Sequence, residues 1–138
     1  MVEVVNRQRG TKISTAQWSI RATEMLDAIR NDQTSATVAF VSDAKIRDLN
    51  RTFRGIDKAT DVLSFPTDNA QDPRSELGDI AISMERAAAQ AKENGLTIDE
   101  EVAQLILHGL LHLCGYDHET DNGQMNRLEL KLRMKLGI

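Results

Sequence analysis

The apolar positions of the chain fall into nine segments, each with the period of a strand or of a helix. Short β-branched or aromatic runs bounded by polar residues indicate strands at residues 2–5, 36–41, 61–65 and 77–83. Apolar residues that recur at three- and four-residue intervals, together with end signals, indicate five helices. These helices are residues 15–31, a short helix after Ser42 or Asp43, a helix from its cap Ser83 through Asn94, residues 98–114 and about 121–136.

The order of these elements, βαβαββααα, predicts an α+β fold in which a mixed β-sheet is packed with helices. The polar segment 67–76 is predicted to be a loop or hairpin connection between the last two strands. Thr97 and Glu100 have the spacing of a capping box at the start of the fourth helix. In the short second helix, the predicted apolar stripe consists of Ile46, Leu49 and Phe53.

Composition places the chain among ordinary globular proteins. Of its 138 residues, 41% are apolar and 28% charged, with 2 Pro and 8 Gly, which excludes collagen-like and wholly disordered chains. No apolar stretch approaches the roughly 20 residues that cross a bilayer, and the first residues show no secretory pattern. The one cysteine, Cys114, has no partner in the chain for a disulfide. We therefore expect one cytoplasmic domain spanning residues 1–138.

The distribution of charge is more informative than its sum. The net charge of −4 argues against nucleic-acid binding driven by overall charge. A local basic face remains available, because Arg47, Arg51 and Arg54 recur at i, i+4 and i+7 in the predicted second helix. Such a face attracts phosphate.

All three histidines of the chain lie within eleven residues near the end of the fourth helix. His108 and His112 are one helical turn apart, so both rings project from the same face. Gly115 can take a positive φ and turn the chain so that His118 approaches them. Three imidazoles with an open fourth position are typical of a zinc site that also binds water. We therefore predict a metal site at the end of this helix.

The histidine spacing also admits other interpretations. H-x3-H-x2-G-x2-H is the spacing of metzincin proteases, but Gly109 stands where those enzymes carry their glutamate base. A structural zinc is normally closed by four protein ligands. Cys114 is interpreted as a small buried apolar residue rather than a ligand. Asp117 either orients an imidazole or faces solvent in the turn.

Three stretches of the chain resemble one known family. The run HGLLHLCGYDH at 108–118 resembles the signature of the YbeY family, bacterial metal-dependent endoribonucleases that act in ribosomal RNA maturation. The run LNRTFRGIDKATDVLSFP at 49–66 resembles the family's other characteristic stretch, and Gly-Asp-Ile at 78–80 resembles a third. The sequence departs from the pattern at Ala59, where the family has proline. The resemblance covers most of the chain.

The resemblance implies a role for each matching residue. His108, His112 and His118 correspond to the zinc ligands of the family, with one zinc per chain. Arg54 corresponds to an arginine associated with activity. Without the resemblance, Arg54 would be interpreted as a solvated charge at a helix end, paired with Asp57. The general base is left open between metal-bound hydroxide, Asp117 and a group of the substrate.

Three functions follow as hypotheses. The first is a zinc-dependent single-strand endoribonuclease that matures the 3′ end of small-subunit ribosomal RNA and takes part in ribosome quality control. The second is a metalloprotease, and the third a non-catalytic ribosome assembly factor with a structural metal. The resemblance implies single-stranded or ribosomal RNA, a small-subunit ribosomal protein and the Era GTPase as partners, and neither DNA nor a membrane. Because most aromatic residues lie on apolar stripes, extensive stacking on bases is not expected.

Overall fold

A computed structural model describes residues 1–30, 32, 34–67, 76–117 and 119–138. Within these ranges the elements follow the predicted order. The strands are β1 (Val2–Asn6), β2 (Ser35–Val41), β3 (Val62–Pro66) and β4 (Glu76–Ser83). The helices are α1 (Thr15–Ile29), α2 (Asp43–Arg54), α3 (Met84–Glu93), α4 (Ile98–Leu113) and α5 (Gln124–Leu136). Of the predicted loop at 67–76, residues 68–75 lie outside the described part of the chain.

The four strands form one mixed sheet in the order β1-β2-β4-β3. β1 pairs parallel with β2, and β2 pairs parallel with β4. β3 pairs antiparallel with β4 and forms one edge of the sheet. The predicted α+β class, a mixed sheet packed with helices, is therefore confirmed.

The two faces of the sheet are covered by different helices. One face contributes Val38, Phe40 and Ile80 to a large core that also contains apolar residues of α1, α3, α4 and α5. On the other face, Val41 and Ala81 pack with α2 in a smaller cluster. The alternation of side chains along a strand therefore explains why β2 is apolar at nearly every position.

Helix α4 lies at the centre of the larger core and contacts β3, β4 and the neighbouring helices. The capping box predicted at its start is present: Thr97 Oγ1 accepts from the Glu100 amide at 3.1 Å, and Glu100 Oε1 accepts from the Thr97 amide at 2.9 Å. The helix is followed by Gly115, which has φ +95° and turns the chain sharply. Both ends are thus set by local sequence, which fixes the position of the histidine-bearing turns.

Two details differ from the sequence-based expectations. Helix α5 begins at Gln124, about three residues later than predicted, because the Asp121 carboxylate accepts from the amides of Gly123 and Met125 at 2.8 Å each. Phe53, assigned to the apolar stripe of α2, is 66% exposed and packs edge to face on Phe65 with 5.4 Å between ring centroids. Phe53 therefore lies at the exposed border of the small cluster, in contact with Phe65, and not inside it. No helix in the described ranges is long and apolar enough to cross a membrane.

Candidate active site

A cleft of about 470 Å³ lies where the end of α4, the edge strand β3 and the end of α2 meet. It brings together Arg54, His108 and His112, three of the four residues that the sequence predicts to be functional. The other described residues that line it are Asp61, Val62, Ser64, Pro66, Gly115, Tyr116, Asp117 and Glu119.

Helix α4 presents its two histidines to this cleft from successive turns. The Nε2 atoms of His108 and His112 are 3.1 Å apart, and the ring planes are nearly perpendicular with centroids 4.6 Å apart. Two nitrogens bound to one tetrahedral zinc at about 2.1 Å would lie roughly 3.4 Å from each other. The two rings are therefore already close to the arrangement that a shared metal ion requires.

His118, the third predicted ligand, lies outside the described residues, as does everything that rests on it. Across the described ranges, no group of three or more His, Cys, Asp or Glu side chains gathers in a way that would hold a metal. The donors that the structure shows are thus two imidazole nitrogens, a ligand type suited to zinc and related transition metals. The turn at Gly115 leads the chain from α4 along the cleft, which Tyr116 and Asp117 also line.

The far side of the His108 ring contacts a carboxylate that sequence analysis missed. Glu129 of α5 is only 8% exposed, and its Oε1 lies 2.7 Å from His108 Nδ1. Its other oxygen, Oε2, accepts from Arg133 Nη2 at 2.7 Å. Burial raises the pKa of Glu129, but the hydrogen bond and charge of His108 and the charge of Arg133 together outweigh it, so the pKa lies below its usual value.

The signal for Glu129 was present in the sequence. Met125, Glu129, Leu132 and Leu136 recur at i, i+4, i+7 and i+11, so the acidic residue lies on the face of α5 that packs inward. A charged side chain on a buried helical face needs a partner, and that requirement points to a functional or paired residue.

Arg54 is the last residue of α2, and its exposed side chain lines the same cleft as the histidines. The next residue, Gly55, ends the helix in the left-handed region with φ +70°. The loop that follows is held by Asn50 Nδ2, which donates to the Lys58 carbonyl at 2.9 Å. Arg54 is the only Lys or Arg among the described residues that line the cleft.

Two of the three arginines of the basic face predicted on α2 form ion pairs with carboxylates. Arg47 makes two hydrogen bonds to Asp57, at 2.8 and 3.1 Å, and Arg51 pairs with Asp48. Asp57 is thus the partner of Arg47. The interpretation of Arg54 as a solvated charge paired with Asp57 is therefore wrong about the partner. Within the described ranges no carboxylate forms an ion pair with Arg54. Its charge is available to a ligand in the cleft.

The edge strand β3 forms the wall opposite α4. Ser64 Oγ donates to the carbonyl of Gly109 at 3.4 Å, and the Asp61 carboxylate accepts from the Val62 amide at 2.8 Å. Gly78, where β4 pairs with β3, has φ +144°, and a Cβ there would lie 2.2 Å from the Phe65 carbonyl oxygen. The Ser64 hydrogen bond therefore joins β3 to α4, and Gly78 allows β4 to approach Phe65 of β3 closely.

Gly109 lies beside His108 on α4 but packs against the sheet. A Cβ at this position would meet three side-chain carbons of Ile80 at 3.0 to 3.2 Å. A larger side chain would have to enter the buried contact between α4 and β4, not the cleft. A side chain at the position that carries the glutamate base in metzincin proteases would therefore start against Ile80 and not in the cleft.

Cys114 and Asp117 flank the turn that follows α4. Cys114 packs against the large core and is not among the residues lining the cleft, and burial raises the pKa of its thiol. Asp117 lines the cleft, and its Oδ1 accepts from the Glu119 amide at 3.0 Å. The thiol thus behaves as a small apolar residue, whereas Asp117 shapes the turn beside the histidines.

The matching family model and the named relatives agree on one family. Residues 3–137 match the family described as Endoribonuclease YbeY. A protein of that name from Solibacter usitatus is 55% identical over 96 residues, which cover 70% of this chain but 62% of the relative, less than two thirds of its length. One from Nitratiruptor sp. is 46% identical over 117 residues, covering 83% of this chain and 80% of the relative. A solution structure of a Thermotoga maritima protein has a TM-score of 0.67 at 27% identity, covering 99% of this chain and 89% of that one.

Proposed function

The chain belongs to the YbeY endoribonuclease family, and from that premise we propose that it is a zinc-dependent endoribonuclease acting on single-stranded RNA. The substrate would be the precursor of small-subunit ribosomal RNA, cut at its 3′ end, with a further role in ribosome quality control. One observation carries the proposal: two histidine Nε2 atoms 3.1 Å apart share a cleft with an arginine that has no ion-pair partner in the described residues.

The metal would be held by His108 and His112, with His118 as the third ligand that the family resemblance implies. The described donors fit this assignment, because the two Nε2 atoms lie 3.1 Å apart and both residues line the cleft. Bound zinc supplies a Lewis acid that lowers the pKa of water and polarises a phosphoryl oxygen. Helix α4 contributes the spacing, because residues one turn apart project from one face.

Arg54 would bind the scissile phosphodiester. A guanidinium can donate two parallel N–H bonds to phosphate oxygens, and it keeps its charge at any physiological pH. Because Arg54 lines the same cleft as the two histidines, a phosphate bound beside the histidines would lie in the space that this side chain also lines. Donors fixed before the reaction stabilise the negative charge that develops on the phosphate during cleavage.

The structure argues against the protease alternative at a single position. A metzincin-like mechanism needs a carboxylate base next to the first histidine, and Gly109 occupies that place against Ile80. The assembly-factor alternative predicts a metal that only joins elements, yet the two described histidines line a cleft that Arg54 also lines. Catalysis on RNA therefore fits the site better than either alternative.

The cellular setting of the proposal rests on the family resemblance. We expect the protein to act in the cytoplasm on ribosomal RNA, with a small-subunit ribosomal protein and the Era GTPase as partners, and without DNA or membrane binding. Residues 1–138 would act as one unit, since β1 near the start and α5 near the end both pack in the core around α4.

Metal analysis of the purified protein tests the metal centre. The wild type should contain about one zinc per chain, and His112→Ala should lose it, because two remaining ligands make a weak site. Cys114→Ala is the matched control, since Cys114 is a neighbouring sulfur donor that does not line the cleft. Zinc retained in His112→Ala, or lost in Cys114→Ala, would contradict the assignment.

A further inference from the structure

Helix α5 places one buried acidic residue against the predicted metal centre, and both of its oxygens are engaged. Glu129 Oε1 lies 2.7 Å from His108 Nδ1, and Oε2 accepts from Arg133 Nη2 at 2.7 Å. The distances are those of charge-assisted hydrogen bonds. Glu129 and Glu101 are the two buried acidic residues in the described ranges.

Burying the Glu129 carboxylate costs free energy, so the partners that offset this cost indicate what the residue does. Removing a carboxylate from water is expensive unless it is both paired and fully hydrogen-bonded. Stabilising α5 alone would need no more than an exposed i, i+4 pair with Arg133. Instead the side chain is turned inward, across to α4, and joins a residue 21 positions earlier.

We propose that Glu129 is a positioning residue for the metal ligand His108, and that Arg133 holds Glu129 in place for this task. An ionised carboxylate can only accept, so Nδ1 of His108 donates to it and Nε2 keeps its lone pair. That lone pair points toward His112 Nε2. The inference rests on the proposed function, because it requires that the two histidines bind a metal.

Glu129 would act on His108 as a carboxylate acts on a metal-bound histidine from the side away from the metal. Such a partner fixes the ring orientation and tautomer and makes the imidazole a better donor. Since α5 supplies the carboxylate, binding of the metal and docking of α5 on α4 are linked. Metal that binds more tightly when His108 is held by Glu129 must in turn stabilise the docked helix.

Zinc affinity is the readout that separates positioning from general stability. In a competition titration with a chromophoric chelator, Glu129→Ala should raise the zinc dissociation constant about 10- to 100-fold. Glu129→Gln keeps an acceptor of the same shape without the charge, so its dissociation constant should lie between those of the wild type and Glu129→Ala. Circular dichroism confirms that each variant is folded during the titration.

Leu132→Ala is the matched control, because Leu132 is buried one turn further along α5 and belongs to the apolar core. It should lower the melting temperature and leave the zinc affinity of the folded protein near wild type. If Leu132→Ala weakens zinc binding as much as Glu129→Ala, the effect is loss of stability and the inference is overturned. Should Glu129→Ala not fold, Glu129→Gln decides alone, and wild-type affinity in that variant overturns the inference.

The outcomes separate this inference from the proposed function. Wild-type zinc affinity in both Glu129 variants, with zinc lost in His112→Ala, overturns the positioning role and leaves the metal centre intact. No zinc in the wild type, or no effect of His112→Ala, refutes the metal centre itself. Weakened zinc binding in the Glu129 variants alone supports the inference.

Discussion

Replacing Arg54 by alanine removes the one described cationic side chain of the cleft while leaving the fold in place. Arg54 is exposed at the end of α2 and has no ion pair among the described residues, so its loss leaves no buried carboxylate unpaired. The free energy of unfolding should therefore change by no more than about 0.5 kcal/mol. Any large effect on RNA cleavage is then an effect on the reaction.

The expected size follows from the contact that is lost. A preorganised charged donor that meets charge developing in the transition state is worth about 10²-fold or more in rate. At about 1.36 kcal/mol per factor of ten, this corresponds to ~2.7 kcal/mol of transition-state stabilisation. We therefore expect single-turnover cleavage of saturating RNA to fall about 10²-fold in Arg54→Ala.

Two further variants refine the test. Arg54→Lys keeps the charge but not the planar fork, so it should be clearly impaired if the phosphate is bound through two N–H groups. Arg51→Ala is the matched control, because Arg51 lies one turn away on α2 and is occupied by Asp48 at the surface. Its effect should be small, and it should disappear at saturating RNA.

The reasoning about Arg54 is refuted by a simple result. If Arg54→Ala and Arg54→Lys both cleave saturating RNA at the wild-type rate, with zinc content unchanged, then Arg54 is an ordinary surface charge. A loss of equal size in Arg51→Ala would show that general phosphate attraction, not a positioned donor, limits the reaction.

Three stability predictions follow from the packing around the cleft. Gly109→Ala should lower the free energy of unfolding by roughly 0.5–2 kcal/mol in urea. Overpacking of the new Cβ, 3.0 Å from Ile80, costs about 1–3 kcal/mol, and the better helix propensity of alanine offsets about 0.5–1 kcal/mol of this; an unchanged midpoint would show that Ile80 moves aside freely. Gly78→Ala should cost at least as much, since its Cβ would lie 2.2 Å from the Phe65 carbonyl oxygen at positive φ, and a wild-type melting curve would contradict the close approach of β3. Thr97→Ala should cost about 1 kcal/mol through loss of the helix cap, while RNA cleavage at 25 °C stays at the wild-type rate; impaired cleavage in folded protein would contradict a purely structural cap.

Much of the fold could be predicted because its signals are local. The capping box at Thr97 and the glycine turn at Gly115 define the helix that carries His108 and His112, and both signals are read from neighbouring residues. The order of strands and helices likewise follows from periodicity. The position of β4 between β2 and β3 depends on tertiary contacts, and the order of the elements along the chain does not specify it.

The parts of the site that escaped prediction depend on contacts between distant residues. Arg47, Arg51 and Arg54 look equivalent as a sequence pattern, yet the fold brings Asp57 to Arg47 and leaves Arg54 at the cleft. Glu129 is 21 residues from His108, and the residues next to it in the sequence do not predict that contact. Only its place on the buried face of α5 pointed to a partner.

Cleavage of an unstructured RNA by metal-loaded protein tests the central claim most directly. We predict that the wild type cuts this RNA and leaves denatured casein intact, that a chelator abolishes cleavage, and that added zinc restores it. His112→Ala should stay inactive under every condition, because it lacks a ligand for the metal. RNA cleavage that survives both the chelator and the loss of His112, or metal-dependent cleavage of casein without cleavage of RNA, would contradict the account.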